Sequence, residues 1–220
     1  MQRRDFLKSV ALGTAGAAVL GGRAKEAVAR SDDPAKAFLL STHGCGRATG
    51  YAETNKIVTL DGRTHVAWLD AQDDRFPVRV QTLDRRSGEW SETYTVGEAY
   101  DNHGGPALTV DSEGFLHVVY YPHHHPFRYR RSLRPNDASA WGEELQFGKR
   151  CTYPTLLCGP DDTLLLTCRE SDQQPWVVNL YTKPRGGTWQ GPTAILRAEE
   201  RGYAHFQEAL VWGPPAQAAA

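Results

Sequence analysis

Residues 111–120 read DSEGFLHVVY, a turn followed by a strand, and this combination recurs along the chain. The first four residues are typical of a tight turn, and the apolar run after them is rich in β-branched and aromatic side chains. The same pattern stands at residues 60–68, LDGRTHVAW, and at residues 159–166, GPDDTLLL. A pattern that returns at a period near 50 residues predicts a repeat architecture.

A tryptophan after a short turn recurs with nearly the same period. Trp90, Trp141 and Trp189 each follow a short turn, and they lie 51 and 48 residues apart. Each unit therefore has room for two hairpins, that is, four antiparallel strands. We predict an all-β fold, a β-propeller built of four-stranded antiparallel blades.

The repeat divides the chain into units. We expect blades at about residues 53–100, 101–150 and 151–203, and a fragment at 204–220 that holds the first strand of a fourth blade. Propellers close with roughly four to eight blades. About three blades and one strand therefore predict a truncated propeller; the alternative is a ring completed by further copies of the chain.

The first 29 residues are predicted to be an export signal. Arg3 and Arg4 open a string that resembles the twin-arginine motif, and the uncharged stretch 9–22 is too short to cross a bilayer as a helix. An A-x-A cleavage site follows at 27–29. We expect a periplasmic or secreted protein without a membrane anchor after cleavage, and an N-terminal segment at 30–52.

The charge balance argues against nucleic acid as a partner. Lys and Arg number 25 and Asp and Glu 26, which leaves a formal charge of -1. Binding to a phosphate backbone needs a basic surface, and this composition supplies none.

Strand pairing predicts where unusual side chains meet. A turn centred between Ser112 and Glu113 places His103 beside His123, at the end of the hairpin remote from the turn. A turn centred on residues 161 and 162 likewise places Tyr153 opposite Glu170 and beside Arg169. In a propeller these ends surround the mouth of the central channel, so we expect the two couples to converge.

These residue types support proton-transfer chemistry on an acidic substrate. A neutral His or an activated Tyr can take a proton, whereas Arg binds a carboxylate bidentately and keeps its charge. The strand end leaves open whether His123 or His124 faces the site. Consecutive strand residues alternate faces, so residues 123–125 are not predicted to bind one metal ion. We expect no metal and no organic cofactor.

Four strings carry a family resemblance: DNHGGPA at 101–107, PHHHPFRYRRS at 122–132, TYP at 152–154 and TCRE at 167–170. They resemble the BNR-repeat family that includes the ulvan lyases. The resemblance implies a seven-bladed propeller that cleaves uronate-containing sulfated polysaccharide by β-elimination. It also implies catalytic roles for His103, His123 and Tyr153, and substrate binding by Arg169 and His124.

Two other functions fit a propeller. A sialidase-like glycoside hydrolase would need a carboxylate acid, for which Asp70, expected to pair with Glu53, is the candidate. A non-catalytic carbohydrate-binding propeller would stack sugar rings on exposed aromatic side chains. The candidates for that stacking are Trp68, Tyr120, Tyr121 and His124.

Overall fold

The computed structural model describes residues 38–49, 54–204, 206 and 208–213, and all of its regular elements are β-strands. Every strand lies within one compact unit, Leu39–Ala220. The strands are β1 Ile57–Leu60, β2 Arg63–Leu69, β3 Phe76–Asp84, β4 Glu89–Trp90, β5 Tyr94–Ala99, β6 Ala107–Val110, β7 Leu116–Tyr120, β8 His125–Arg134, β9 Asp137–Trp141, β10 Leu145–Cys158, β11 Leu164–Glu170, β12 Val177–Lys183 and β13 Gln190–Arg197.

The strands form three antiparallel meanders in two sheets. The first meander runs β1-β2-β3, and β4 and β5 both pair with β3 as its interrupted outer strand. The second meander runs β6-β7-β8, with β9 and the start of β10 in the outer position. The third meander is the rest of β10 with β11, β12 and β13. The all-β prediction is confirmed, while neither sheet closes on itself within the described residues.

One strand, β10, belongs to two meanders and joins them into an eight-stranded sheet. Residues 145–147 pair with β8, whereas residues 151–158 pair with β11. The register shifts between Phe147 and Cys151, next to Gly148 at a φ of 78°. The second and third meanders therefore share one continuous backbone.

The core lies between neighbouring meanders, which pack face to face. All five residues of β7 are buried. Leu116 and Val118 pack with Leu69 and Val78 of the first meander, whereas Val119 packs with the third-meander cluster. A strand covered on both faces needs apolar side chains on both, which explains the nearly unbroken apolar run of this segment.

The pairing of the hairpins departs from the sequence prediction in detail. In the second meander Ala107 pairs with Val119, a register that sets position 103 directly across from 123. In the third meander Cys151, not Tyr153, lies opposite Glu170, and Tyr153 sits in a bulge between Thr152 and Thr155. The predicted pairing of Tyr153 with Glu170 is therefore wrong, because the bulge adds a residue that a straight ladder does not contain.

The first strand predicted for a fourth unit stays a prediction, because residues 205 and 207 lie outside the described residues. The described residues among 204–213 form no strand. They lie against the third meander through backbone carbonyls: Thr155 Oγ1 donates to Glu208 O at 2.5 Å, and Arg169 Nη1 donates to Ala204 O at 3.2 Å.

Some predictions fall outside the described residues. These are the signal peptide at 1–29, residues 30–37 and 50–52 of the N-terminal segment, Glu53, and residues 205, 207 and 214–220 of the fragment. In the part of the chain that the structure describes, no helix is long and apolar enough to span a membrane.

The end of the meanders that carries the β1–β2, β6–β7 and β10–β11 turns is called the turn end below. Hydrogen bonds lock neighbouring meanders together there. Asn136 donates to Leu60 O at 3.1 Å and pairs with His65 Nε2 at 2.8 Å, which ties the second meander to the first. Asp162 accepts from the backbone and the hydroxyl of Ser112, both at 2.7 Å, which ties the third to the second.

Candidate functional site

The opposite end of the meanders, called the histidine end, brings His103 and His123 into contact. His103 lies in the segment before β6, and His123 lies in the segment after β7. Their rings stack with centroids 3.9 Å apart. The two segments approach closely at Gly104, where a Cβ would collide with the carbonyl oxygen of Tyr121. The predicted proximity of the two histidines is present in the structure.

Asp101 connects the two histidines. Its carboxylate accepts from His103 N at 2.7 Å, contacts His103 Nδ1 at 3.1 Å and contacts His123 Nδ1 at 2.5 Å. Partial burial raises the pKa of Asp101, but the hydrogen bonds from His103 N–H and the His123 ring outweigh it, so the pKa lies below its usual value. An ionised carboxylate therefore holds both rings by Nδ1.

The two rings differ at Nε2. Arg47 Nη1 lies 2.8 Å from His103 Nε2 and donates to Asn102 as well. Burial and the neighbouring His123 lower the pKa of His103, which favours the neutral ring with its proton on Nδ1. Because Arg47 occupies Nε2 of that ring, His103 has no open basic nitrogen. No described residue hydrogen-bonds to Nε2 of His123.

Tyr153 and Arg169 form the second couple, as predicted, although through the bulge rather than through a ladder pair. The guanidinium carbon of Arg169 lies 4.5 Å from the centre of the Tyr153 ring. Arg169 is 1% exposed, yet it has no carboxylate partner within the described residues, and its Nε makes no hydrogen bond there. A buried cation without a counter-ion is costly and points to an anion that completes it.

Aromatic rings surround this guanidinium on further sides. Trp176 and Tyr203 have their ring centres 4.7 and 5.0 Å from the Arg169 carbon. The hydroxyl of Tyr203 lies 3.2 Å from that of Tyr153. The hydrogen bond with Tyr153 lowers the pKa of Tyr203; partial burial opposes this effect, and Arg169 adds to it. The two phenols thus form a hydrogen-bonded pair beside a fixed positive charge.

His124 joins the two couples into one cluster. Its ring lies 4.9 Å from that of His123 and 5.6 Å from that of Trp176, and its Nδ1 is 2.5 Å from Ser171 Oγ. Burial, followed by Arg169 and His123, lowers the pKa of His124 to about 4. His124 is therefore neutral at physiological pH, and both His123 and His124 belong to the cluster.

Three residues of the histidine end adopt a backbone conformation that is uncommon outside glycine. The φ angles are 98° at Tyr121, 60° at His124 and 59° at Tyr153. Such conformations cost free energy, and they persist where the surrounding structure imposes them, often at functional sites. Here they turn the His124 and Tyr153 side chains away from the regular pleat.

A metal ion could be held by Asp101, His103 and His123, each of which offers one ligand atom within 4.8 Å of the others. The run of three histidines does not form such a set, because His125 Nδ1 pairs with His123 O and His124 Nδ1 pairs with Ser171. The hydrogen-bond distances from both Nδ1 atoms to Asp101 fit a carboxylate that orients two imidazoles.

His124 belongs to the cluster, whereas three other residues proposed for the two rival functions are buried in the core. Asp70 is buried and accepts hydrogen bonds from Ser41 Oγ at 2.8 Å, Trp68 Nε1 at 2.7 Å and Arg79 Nε at 3.3 Å. Its carboxylate oxygens are therefore engaged in hydrogen bonds within the fold. Trp68 and Tyr120 are 3% and 0% exposed and cannot stack on a sugar, which corrects that part of the prediction. Tyr121 is half-buried beneath the Arg128 guanidinium, 3.6 Å from its ring centre.

Sequence reasoning missed four members of the cluster: Arg47, Asp101, Trp176 and Tyr203. Asp101 lay in a quoted string, two residues before His103, but no role was assigned to it. Tyr203 carried a stronger signal, because His103, Tyr153 and Tyr203 follow one another at intervals of 50 residues, the period of the repeat. Trp176 and Arg47 had no comparable signal.

Comparisons with known proteins extend the description. A model described as BNR repeat-containing family member matches residues 62–209. An ulvan lyase of Pseudoalteromonas sp. (strain PLSV) is 20% identical over 184 residues, which cover 72% of this chain and 37% of that protein. An ulvan lyase of Nonlabens ulvanivorans is 22% identical, over 80% of this chain and 42% of that protein. The chain thus spans less than half the length of these relatives.

Solved structures agree with the fold. A PL25 ulvan lyase bound to GlcA(1-4)Rha3S superposes with a TM-score of 0.64 at 19% identity, over 72% of this chain and 41% of that chain. The polysaccharide lyase Uly1 gives a TM-score of 0.52 at 15% identity, over 72% of this chain and 43% of that chain. At this identity the likeness establishes the shared all-β fold.

Proposed function

The chain belongs to the BNR repeat-containing family, and from that premise we propose that it is a polysaccharide lyase-like protein that cleaves uronate-containing polysaccharide by β-elimination. Ulvan lyases are among its relatives, and one structural neighbour was solved with an oligosaccharide that contains a uronate and a sulfated sugar. The substrate class proposed for this chain is the same, a sulfated uronate polysaccharide.

The observation that carries the proposal is the burial of the Arg169 guanidinium without an acid partner among the described residues. A uronate carboxylate would supply the acid partner that this buried guanidinium lacks among the described residues. The proton on the carbon next to a carboxylate is too weakly acidic to remove until that negative charge is neutralised. A preorganised cation in a partly dry site supplies several kcal/mol of such stabilisation. Tyr153, Trp176 and Tyr203 hold the guanidinium in place by their ring faces.

His123 is the base that the geometry favours. Asp101 holds its Nδ1 and leaves Nε2 to accept a proton, an arrangement in which the carboxylate also stabilises the imidazolium that forms. His103, whose Nε2 is occupied by Arg47, stacks against His123 and acts as a positioning residue. His124 lies between His123 and Trp176 and binds the substrate.

The phenol pair supplies the acid. In the elimination, His123 Nε2 takes the proton from the carbon next to the carboxylate and later releases it to solvent. The electron pair of the broken carbon–hydrogen bond forms a carbon–carbon double bond, and the glycosidic carbon–oxygen bond breaks. The leaving oxygen takes a proton from the hydroxyl of Tyr153, and Tyr203, with its lowered pKa, relays the proton back from solvent. No redox partner is needed for this balance.

The finer structural and cellular statements are also proposals. The face-to-face packing of four-stranded meanders supports a propeller in which these meanders are blades. The paired arginines, the apolar stretch and the A-x-A site support twin-arginine export to the periplasm or beyond. A mature chain starting at Arg30 is the form to test.

The test is to incubate the mature chain with a panel of uronate polysaccharides and to record absorbance near 235 nm. Elimination leaves a conjugated double bond that absorbs there, whereas hydrolysis creates reducing ends without it. We expect absorbance to rise with a sulfated uronate polymer and to be lost in His123→Ala and Tyr153→Phe.

The controls separate the alternatives. Arg134→Gln alters an exposed side chain at the turn end and is expected to leave the rate unchanged. New reducing ends without absorbance would show a hydrolase. Binding without either product would show a carbohydrate-binding protein. Absorbance that persists in both site variants would contradict the assigned residues.

A further inference from the structure

A second feature that no comparison assigns is a basic cleft between the first and second meanders. It has a volume of about 500 Å³ and is lined by the loop before β3, by β5 and by the start of β8. Four arginines line it, Arg75, Arg79, Arg128 and Arg130, against two glutamates, Glu98 and Glu144. The lining therefore carries a net positive charge in a protein whose overall formal charge is -1.

The positive charge is incompletely paired. Arg128 and Arg130 share one carboxylate, Glu144, at 3.3 and 3.9 Å, and that carboxylate also accepts from Tyr120 at 2.6 Å. Nε of Arg128 and of Arg130 makes no hydrogen bond to the described residues. Arg75 has no ion pair among them either. Two guanidiniums share one acid, beside a third without an ion pair among the described residues, so positive charge is in excess at this cleft.

The position of these charges is imposed by the packing. Gly97 of β5 faces Tyr120, whose hydroxyl would collide with any Cβ there, so the two sheets meet closely at the base of the cleft. Tyr120 is fully buried and fixes Glu144, which in turn holds Arg128 and Arg130. Arg79 is anchored separately by Asp70 and Gln72. The arginines are therefore preorganised.

The cleft adjoins the histidine end. Arg128 is three residues beyond the start of β8 at His125, a distance of roughly 10 Å along a strand. Its guanidinium covers Tyr121, which makes an edge-on ring contact with His125 at 6.0 Å. A polymer that places one sugar at the histidine cluster can thus reach the cleft with a neighbouring sugar.

We infer that this cleft is a sulfate subsite, which binds a sulfate ester on a sugar neighbouring the one that reacts; the inference rests on the proposed function. Arg75 and the Arg128–Arg130 pair approach from different segments, which suits a tetrahedral anion with several acceptor oxygens better than one planar carboxylate. The volume lies within the range of sugar-sized ligand sites. The carboxylate and the sulfate would then be recognised by separate arginines.

The test measures binding rather than turnover, so that it stands apart from the test of the lyase. Titration calorimetry of the mature chain with a sulfated uronate tetrasaccharide and its chemically desulfated counterpart reports affinity at 50 mM and 200 mM NaCl. We expect the sulfated form to bind about tenfold more tightly at the lower salt concentration. Arg75→Gln with Arg130→Gln should remove that preference.

The matched control is the double variant Arg86→Gln with Arg134→Gln, which removes the same net charge from exposed positions outside the cleft. It should keep the preference for sulfate. Equal losses in the two double variants would overturn the inference, because they would show an effect of net charge alone. Equal affinity of the two tetrasaccharides for the unmodified chain would overturn it as well. Sulfate-dependent binding without an absorbance change would support the subsite while rejecting the lyase.

Discussion

The turn end and the histidine end are built from the two ends of the same hairpins, yet they differ in how fully their polar groups are hydrogen-bonded. At the turn end, His65 uses both ring nitrogens, on Thr82 and Asn136, each at 2.8 Å. At the histidine end, His123 is held by one nitrogen, and Arg169 has no acid partner within the described residues. Hydrogen-bonded groups at the turn end stabilise the fold, whereas those at the histidine end are the groups that we propose bind a ligand.

The backbone shows the same contrast. The turns of the turn end carry positive φ at residues such as Asp61 and Asn136, which tolerate it in tight turns. At the histidine end, Tyr121, His124 and Tyr153 adopt it without that tolerance. The same repeat therefore has hydrogen-bonded turns at one end. At the other end it has strained backbone and side chains whose hydrogen-bonding groups are incompletely paired among the described residues.

The largest effect is expected at Arg169. Arg169→Gln removes the cation that we propose neutralises the substrate carboxylate, and we expect the proposed lyase rate to fall by about a hundredfold to a thousandfold. Stability should not fall in proportion, because the change also removes a buried charge that has no acid partner in the described part of the chain. Initial rates at 235 nm and thermal melting of the two proteins check this. A large drop in melting temperature would show instead that Arg169 serves the core.

A matched pair of histidines tests the contrast directly. His65→Ala deletes a fully buried ring with two hydrogen bonds, and we expect a loss of about 2 to 4 kcal/mol of unfolding free energy. His123→Ala should cost far less stability and abolish turnover. Urea denaturation monitored by tryptophan fluorescence gives both free energies. Comparable destabilisation by the two variants would contradict the division between the ends.

The smallest effect is the dependence of stability on pH. Burial lowers the pKa of His65 and of His117 below the ordinary 6.5. The unfolded chain then binds protons first as the pH falls below 6.5, so stability is complete above that value and declines on acidification. Melting temperatures between pH 8 and pH 5 should show this decline, with a shallower slope in His65→Ala. An unchanged slope would exclude His65 as a contributor.

The strands were predictable from sequence because their signals are local. The turn residues at 111–114 and the apolar run after them predicted β6, β7 and their hairpin, and the same pattern predicted the hairpins of the other two meanders. Hairpin geometry then predicted that His103 meets His123 and that Tyr153 meets Arg169. The first contact follows from counting outward from the turn. The second is also present, although the bulge at Tyr153 changes the register from which it was predicted.

The remaining details depend on tertiary packing. The bulge that holds Tyr153 follows the point where β10 passes from β8 to β11. Pro154 lies in this bulge and cannot donate to a ladder, but the resulting shift in pairing depends on both neighbouring strands. The burial of Trp68 and Tyr120 depends on how neighbouring sheets face each other, so aromatic residue type alone predicted the wrong exposure. Asp101 and Arg47 act through contacts that a strand ladder does not specify. Only Tyr203 could have been found, from the period of the repeat.

The long strand β10, of fourteen residues, couples the local unfolding of the second and third meanders. Because one backbone hydrogen-bonds to β8 at its start and to β11 at its end, the second and third meanders form a single cooperative unit. The first sheet shares no strand with that unit. Amide protons of β7, β8, β10 and β11 should therefore exchange together and late, while those of β1 to β5 can exchange through a separate, earlier opening.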